Sequence, residues 1–253
     1  MVRILIVLIL AAAWASSPAR ADEHGGTHPA WSYSGPGGPS HWQDIADTFA
    51  LCATGKHQSP IDIVSAVKAP LPAIEFHYSA SPLRIIDTGH SIQVNYAAGS
   101  TIVVNGESYE LKQFHFHEPS EEHLHGRSFP MVAHLVHQNA HGDLAVIAVL
   151  FKKGKANAFL TPIWKNFPVD KNVEHLAADV SIHLADILPA TGGYYTFPGS
   201  LTTPPCSEDV TWFVLKTPVE LSAEQIALID ERYPDNVRPV QPLNDRVVRE
   251  TLN

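Results

Sequence analysis

From Ile74 to Phe151 the chain is cut into short β-branched runs by glycine and Asn-Gly turns, a pattern that admits strands and little else. Leu83-Arg84-Ile85-Ile86, Ser91-Ile92-Gln93-Val94-Asn95-Tyr96 and Thr101-Ile102-Val103-Val104 read as successive strands, and Asn105-Gly106 is a strong hairpin signal. Glu110 to His117, Met131 to His137 and Leu144 to Phe151 continue the series; the last is apolar on both faces, as a central buried strand should be. Helical periodicity is confined to Asn157 to Asn166 and, more clearly, Ser222 to Tyr233, where Ser222 can cap, Gln225 holds the capping-box position and Pro234 stops the run. The 20 prolines and 15 glycines are scattered, which argues against a helical bundle, and no repeat or linker divides residues 40 to 253. The expectation is one mainly β (α+β) domain: a large, mostly antiparallel twisted sheet with short peripheral helices. Asp22 to Ser40 should be irregular, and the region through Pro60 rich in turns.

The first residues read as an export signal. Arg3 gives a positive start, Ile4 to Ala13 an apolar run too short to span a bilayer, and Ala19-Arg20-Ala21 a small-x-small cleavage site. Cleavage after Ala21 would leave residues 22–253 as the mature chain, soluble rather than membrane-embedded, in the periplasm or secreted. Export puts Cys52 and Cys206, the only 2 cysteines, where a pair becomes a disulfide. The net charge of −9 excludes nonspecific binding to nucleic acid or anionic membranes. Against 17 lysines and arginines stand 15 histidines, so imidazole supplies much of the capacity to bind metal and carry protons.

Gln113-Phe114-His115-Phe116-His117 is the most informative stretch. Strand alternation sends both imidazoles and Gln113 to one face and the two phenylalanines to the other. A third histidine from a neighbouring strand would complete three neutral nitrogen donors for zinc, leaving the fourth tetrahedral position for water. The next run offers His134 and His137 on opposite faces: His134 with Val132 and Val136, His137 with Ala133 and Leu135. Spacing favours His134 without deciding the matter.

Taken together, Gln113-Phe-His-Phe-His117, Pro119-Ser-Glu121, Ala133-His-Leu-Val-His137, Ser200-Leu-Thr-Thr-Pro-Pro205 and Arg238-Pro-Val-Gln-Pro-Leu243 resemble the alpha-class carbonic anhydrases, in particular their secreted bacterial members. The likeness runs from Trp31 and Tyr33 through Gln58-Ser59-Pro60-Ile61 to Arg246. It implies about ten strands, Zn2+ at the base of a conical cleft, and reversible hydration of carbon dioxide to bicarbonate by zinc-hydroxide attack. The ligands it implies are His115, His117 and His134, with His137 outside the set. Thr202 would orient the hydroxide and donate to Glu121. Val136, Val146, Leu201, Thr203 and Trp212 would form the substrate pocket, and His90 would shuttle the proton through a cleft lined by Tyr33, Gln93 and Gln113. Gln113 would hold His115, and the main-chain carbonyl of Asn236 would hold His117. The likeness also supports the Cys52–Cys206 pairing and allows a homodimer.

At one position the chain departs from the family. Two residues before the third ligand the family usually has Glu, and here stands Val132, which cannot accept an imidazole N–H. Unless water or another group substitutes, zinc should be held less tightly, by about 10–100-fold. We therefore expect weak retention.

Two other readings compete. A cupin would use His115, His117 and Glu121 around iron or manganese, but Gly106 stands too far ahead and the Ser-Leu-Thr-Thr-Pro-Pro segment has no place in it. A zinc-buffering protein is suggested by His24, His28, His123, His125 and His141; zinc binding without hydration of carbon dioxide would favour it.

Overall fold

A computed structural model describes residues 30–190 and 192–252. The expected export signal and cleavage site, with His24 and His28, lie outside the described residues.

A 13-stranded sheet dominates the molecule. Its continuous path runs Glu174–Ile182, Ser81–Asp87, Ile92–Asn95, Glu107–His117, Met131–Gln138, Leu144–Lys153, Val210–Leu215, Tyr194–Gly199, Arg249–Thr251 and Val67–Ala69. Glu75–His77, Thr101–Val104 and Val219–Leu221 attach off that path. The expected central strand is central: Leu144–Lys153 pairs antiparallel with Met131–Gln138 on one side and parallel with Val210–Leu215 on the other. The sheet is thus mixed: mostly antiparallel, as expected, but not strictly so. Further parallel pairings join Leu144–Lys153 to Val219–Leu221 and Arg249–Thr251 to Val67–Ala69. Parallel neighbours need long crossovers, and the stretch between Lys153 and Val210 supplies one.

The hairpin forms as the sequence indicates. Asn105 and Gly106 take φ of 54° and 80°, and Val104 pairs with Glu107. Helix Ala223–Arg232 carries the full capping box of Ser222 and Gln225. Helix Leu160–Trp164 is shorter than its periodicity suggested; the Asn157 side chain accepts the Phe159 and Leu160 N–H groups at 3.1 and 3.4 Å. Ahead of the sheet, single-turn helices Trp42–Ile45 and Leu51–Thr54 share a small core of Trp42, Phe49, Cys52 and Cys206.

The sheet separates two cores. Leu135, Ile147, Phe114 and Phe116 belong to the larger one. Val132, Val146, Leu150 and Trp212 belong to the smaller. The register of Glu107–His117 shifts between Leu111, opposite His137, and Gln113, opposite Val136. That bulge reverses the alternation: Leu111 enters the larger core, while Gln113, two residues on, joins the face of His115 and His117.

Cys52 and Cys206 form a disulfide across 154 residues. In the chain-entropy treatment a closed loop of that size stabilises by roughly 5 kcal/mol at most. The bridge joins the helical amino-terminal segment to the loop that follows Gly199. Arg238 reinforces the same junction, its guanidinium donating to Cys52 O at 2.8 Å, Gln58 Oε1 at 2.8 Å and Ser59 O at 2.9 Å.

Candidate metal centre

Adjacent strands bring three imidazoles to one point. His115 is directly opposite His134 in the register, and Val132 is opposite His117. One nitrogen from each of His115, His117 and His134 falls within 4.8 Å of the others, and among the described residues no second such group of three donors forms. The extra histidines of the buffering reading therefore build no comparable site there, and Glu121 is not part of the donor group as a cupin would require. His117 and His134 are each 1% exposed, whereas the edge of His115 opens onto a cleft.

Each ring has one nitrogen committed. His115 Nδ1–H donates to Gln113 Oε1 at 2.8 Å, and His117 Nδ1–H to the Asn236 carbonyl at 2.7 Å. His134 Nε2–H donates to Glu122 Oε1 at 2.9 Å. All three partners are acceptors, so each fixes a tautomer and leaves a lone pair on the opposite nitrogen: Nε2 of His115, Nε2 of His117 and Nδ1 of His134. His117 Nε2 is a buried polar atom without a hydrogen-bond partner among the described residues. An orphaned acceptor facing two more is a costly arrangement unless something electron-poor sits between them. The donor set, neutral imidazole nitrogens alone, fits zinc.

Electrostatics keep two of the three rings neutral and draw positive charge toward the third. Burial pushes His115 down to about 3, with His134 adding to the effect. Burial also holds His117 well below the usual imidazole range, helped by His134 and His115 and opposed by the Asn236 carbonyl. At His134 burial pushes the same way, but the charge and hydrogen bond of Glu122, with the charge of Glu121, outweigh it and raise the pKa. Burial lifts Glu121 to about 7, against His134, the Arg238 main-chain N–H and the Thr202 hydroxyl, which pull it down. Arg238 N donates to Glu121 Oε1 at 2.8 Å, and Oε2 points into the site, 3.6 Å from His117 Nε2.

The other sequence-selected residues fall around this point. Tyr33, His90, Gln93, Gln113 and Thr203 line a cleft of about 220 Å³ that reaches His115 and His117. Val146 and Trp212, with Val136 and Leu201 packed against them, are part of the smaller core, and the Trp212 ring meets that of His134 at 4.9 Å. Thr202 is 5% exposed, in the loop held by the disulfide. His90 stacks on Trp31 at 3.7 Å with planes 7° apart. Its pKa is lowered by burial and by Lys171, against Asp87. Asn236 does more than hold His117: its side chain donates to His90 O at 3.0 Å and Phe116 O at 3.1 Å, and accepts from Glu118 N at 2.8 Å.

His137, the alternative third ligand, faces the larger core, with Nδ1 on Leu135 O at 2.9 Å and Nε2 on Tyr78 Oη at 2.8 Å. The expectation of a missing acceptor for His134 is corrected: Glu122 occupies that role, 0% exposed, so weak zinc retention no longer follows from Val132. Sequence reasoning passed over Glu122, Arg238 and Trp31 as site residues. The adjacent pair Glu121-Glu122, two acids entering a chain stretch otherwise bound for the interior, was the available signal.

Comparison with known proteins gives a consistent result. The family model described as eukaryotic-type carbonic anhydrase matches residues 37–252. A carbonic anhydrase of Neisseria gonorrhoeae is 43% identical over 250 residues, 98% of this chain and 96% of that protein. One from Pectobacterium carotovorum is 44% identical over 86% of this chain and 89% of its own length. Among solved structures, the alpha-carbonic anhydrase of Thermovibrio ammonificans with the inhibitor sulfanilamide superposes with a TM-score of 0.84 at 43% identity, covering 88% of this chain and 99% of that one.

Proposed function

Since the chain belongs to the eukaryotic-type, alpha-class carbonic anhydrase family, we propose that it hydrates carbon dioxide reversibly at a single zinc held by His115, His117 and His134. The observation that carries the reading is the set of three converging lone pairs, each left free because the other ring nitrogen is committed to an acceptor. When bound, zinc supplies the Lewis acidity that makes a water nucleophilic near neutral pH.

The remaining work falls to the chain. Thr202 has one hydroxyl proton; committed to Glu121, it leaves the Thr202 oxygen able only to accept, which aims the lone pair of the reacting water at the substrate. Ionised Glu121 is acceptor-only, which fixes the direction of the Thr202 hydrogen bond. The Arg238 N–H and a cation in the site both favour that form. Carbon dioxide is small and apolar, and Val136, Val146, Leu201 and Trp212 present an apolar wall beside His134. Thr203 lines the cleft that leads to His115 and His117. Each turnover releases a proton, which His90 takes up at the far side of the cleft and passes to buffer, with Tyr33, Gln93 and Gln113 along the path. The lowered pKa of His90 keeps it neutral, hence a competent acceptor, at neutral pH. The disulfide suits an oxidising compartment outside the cytoplasm.

Stopped-flow hydration of carbon dioxide, with and without a sulfonamide, tests the reading. We expect turnover that the sulfonamide blocks; zinc binding without hydration would reject it. His90→Ala should slow hydration in weak buffer and recover with added imidazole, and unchanged turnover would remove His90 from the relay.

A further inference from the structure

We infer that Glu122 is the positioning residue for the third zinc ligand, so that retention of the metal depends on a carboxylate delivered by the loop after strand Glu107–His117 and not by the ligand's own strand. The inference rests on the zinc reading above and deepens it.

His115 provides the internal comparison. Its Nδ1 is held by Gln113, two residues earlier on the same strand and the same face. The equivalent position for His134 is Val132, 0% exposed and packed in the smaller core. The strand therefore offers His134 no acceptor. Glu122 reaches it from twelve residues earlier in sequence, at 2.9 Å. It is 0% exposed, and its second oxygen, Oε2, has no hydrogen-bond partner among the described residues. Burying an acid with half its acceptors empty is unfavourable unless the charge answers a nearby cation. His134 Nε2–H is the group it touches. Through that ring the carboxylate faces the point where the three lone pairs meet.

The loop is built to hold Glu122 there. Ser120 N donates to Phe129 O and Ser120 Oγ accepts from Phe129 N, both at 2.8 Å. The same hydroxyl donates to Glu122 O at 2.8 Å. Glu118 N is tied to Asn236 Oδ1 at 2.8 Å, the residue whose carbonyl holds His117. The neighbouring acids thus divide their tasks: Glu121 turns toward Arg238 and the reaction side, Glu122 toward the back of His134.

Exchanging the two positions gives the test. The loss of zinc to a chelator is followed by metal analysis for the parent, Glu122→Val, Glu122→Gln and the exchanged double variant Glu122→Val/Val132→Glu, each first checked for folding by circular dichroism. Removing the partner should speed release by about 100-fold in Glu122→Val and about 10-fold in Glu122→Gln, which keeps an acceptor oxygen but no charge. The double variant should return to within a few-fold of the parent, because residue 132 stands to His134 as Gln113 stands to His115. Parent-like release from either single variant overturns the inference, as does a folded double variant that loses zinc as fast as Glu122→Val. Should Glu122→Val not fold, Glu122→Gln and the double variant decide by the same criteria, and failure of all three to fold assigns Glu122 to the fold instead of the metal. A parent chain that binds no zinc would instead overturn the function itself.

Discussion

His134 and His137 lie three residues apart on strand Met131–Gln138, both almost fully buried, and the sheet gives them opposite lives. His137 spends both ring nitrogens inside the larger core, one on Leu135 O and one on Tyr78 Oη. His134 spends one on Glu122 and turns the other toward His115 and His117. Burial drives His137 down to about 4, against its hydrogen bonds to the main chain. At His134 the buried acids more than reverse the same penalty. What makes a buried histidine a ligand is therefore an unspent lone pair beside others, and neither burial nor sequence spacing measures that.

The comparison breaks most sharply by truncation. His134→Ala should lose its zinc outright and with it hydration of carbon dioxide, whereas His137→Ala should retain one zinc per chain; metal analysis after gel filtration separates the two. A metal-free His137→Ala protein would erase the distinction.

Acid gives a second contrast. His137 has a folded pKa of about 4 against about 6.5 when unfolded, so below pH 6.5 the unfolded state takes up the proton first. Stability contributed by the neutral ring is complete above about pH 6.5, falls as pH drops toward 4 by roughly 3 kcal/mol, and changes no further below that. Measured by urea midpoints between pH 7 and 4, the zinc-depleted parent should lose stability relative to His137→Gln as pH falls; parallel curves would contradict the assignment.

The smallest effect belongs to the partner. Tyr78→Phe orphans His137 Nε2 and should lower stability by about 1–3 kcal/mol while leaving zinc content unchanged. Zinc loss in that variant would mean the two faces of the sheet are coupled.

Much of this was legible in the sequence because it is local. The capping box at Ser222 and Gln225, the Asn105-Gly106 hairpin and the shared face of His115 and His117 each depend on residues within a few positions of one another. Glu122 was not legible, since its contact with His134 arises only when the loop folds back beside the next strand. Neither was the bulge before Gln113, which no alternating pattern announces, nor the parallel pairings, which depend on crossovers longer than any local signal. The short helices after Trp42 escaped for a different reason: single turns held by aromatic packing and a disulfide leave no periodicity.

Zinc K-edge X-ray absorption on the loaded protein tests the central claim most directly, because it counts the atoms around the metal. Three imidazole nitrogens at about 2.0–2.1 Å with one further light-atom ligand from water is the predicted shell. A shell with fewer than three imidazoles, or one completed by a carboxylate of Glu121 or Glu122, would contradict it.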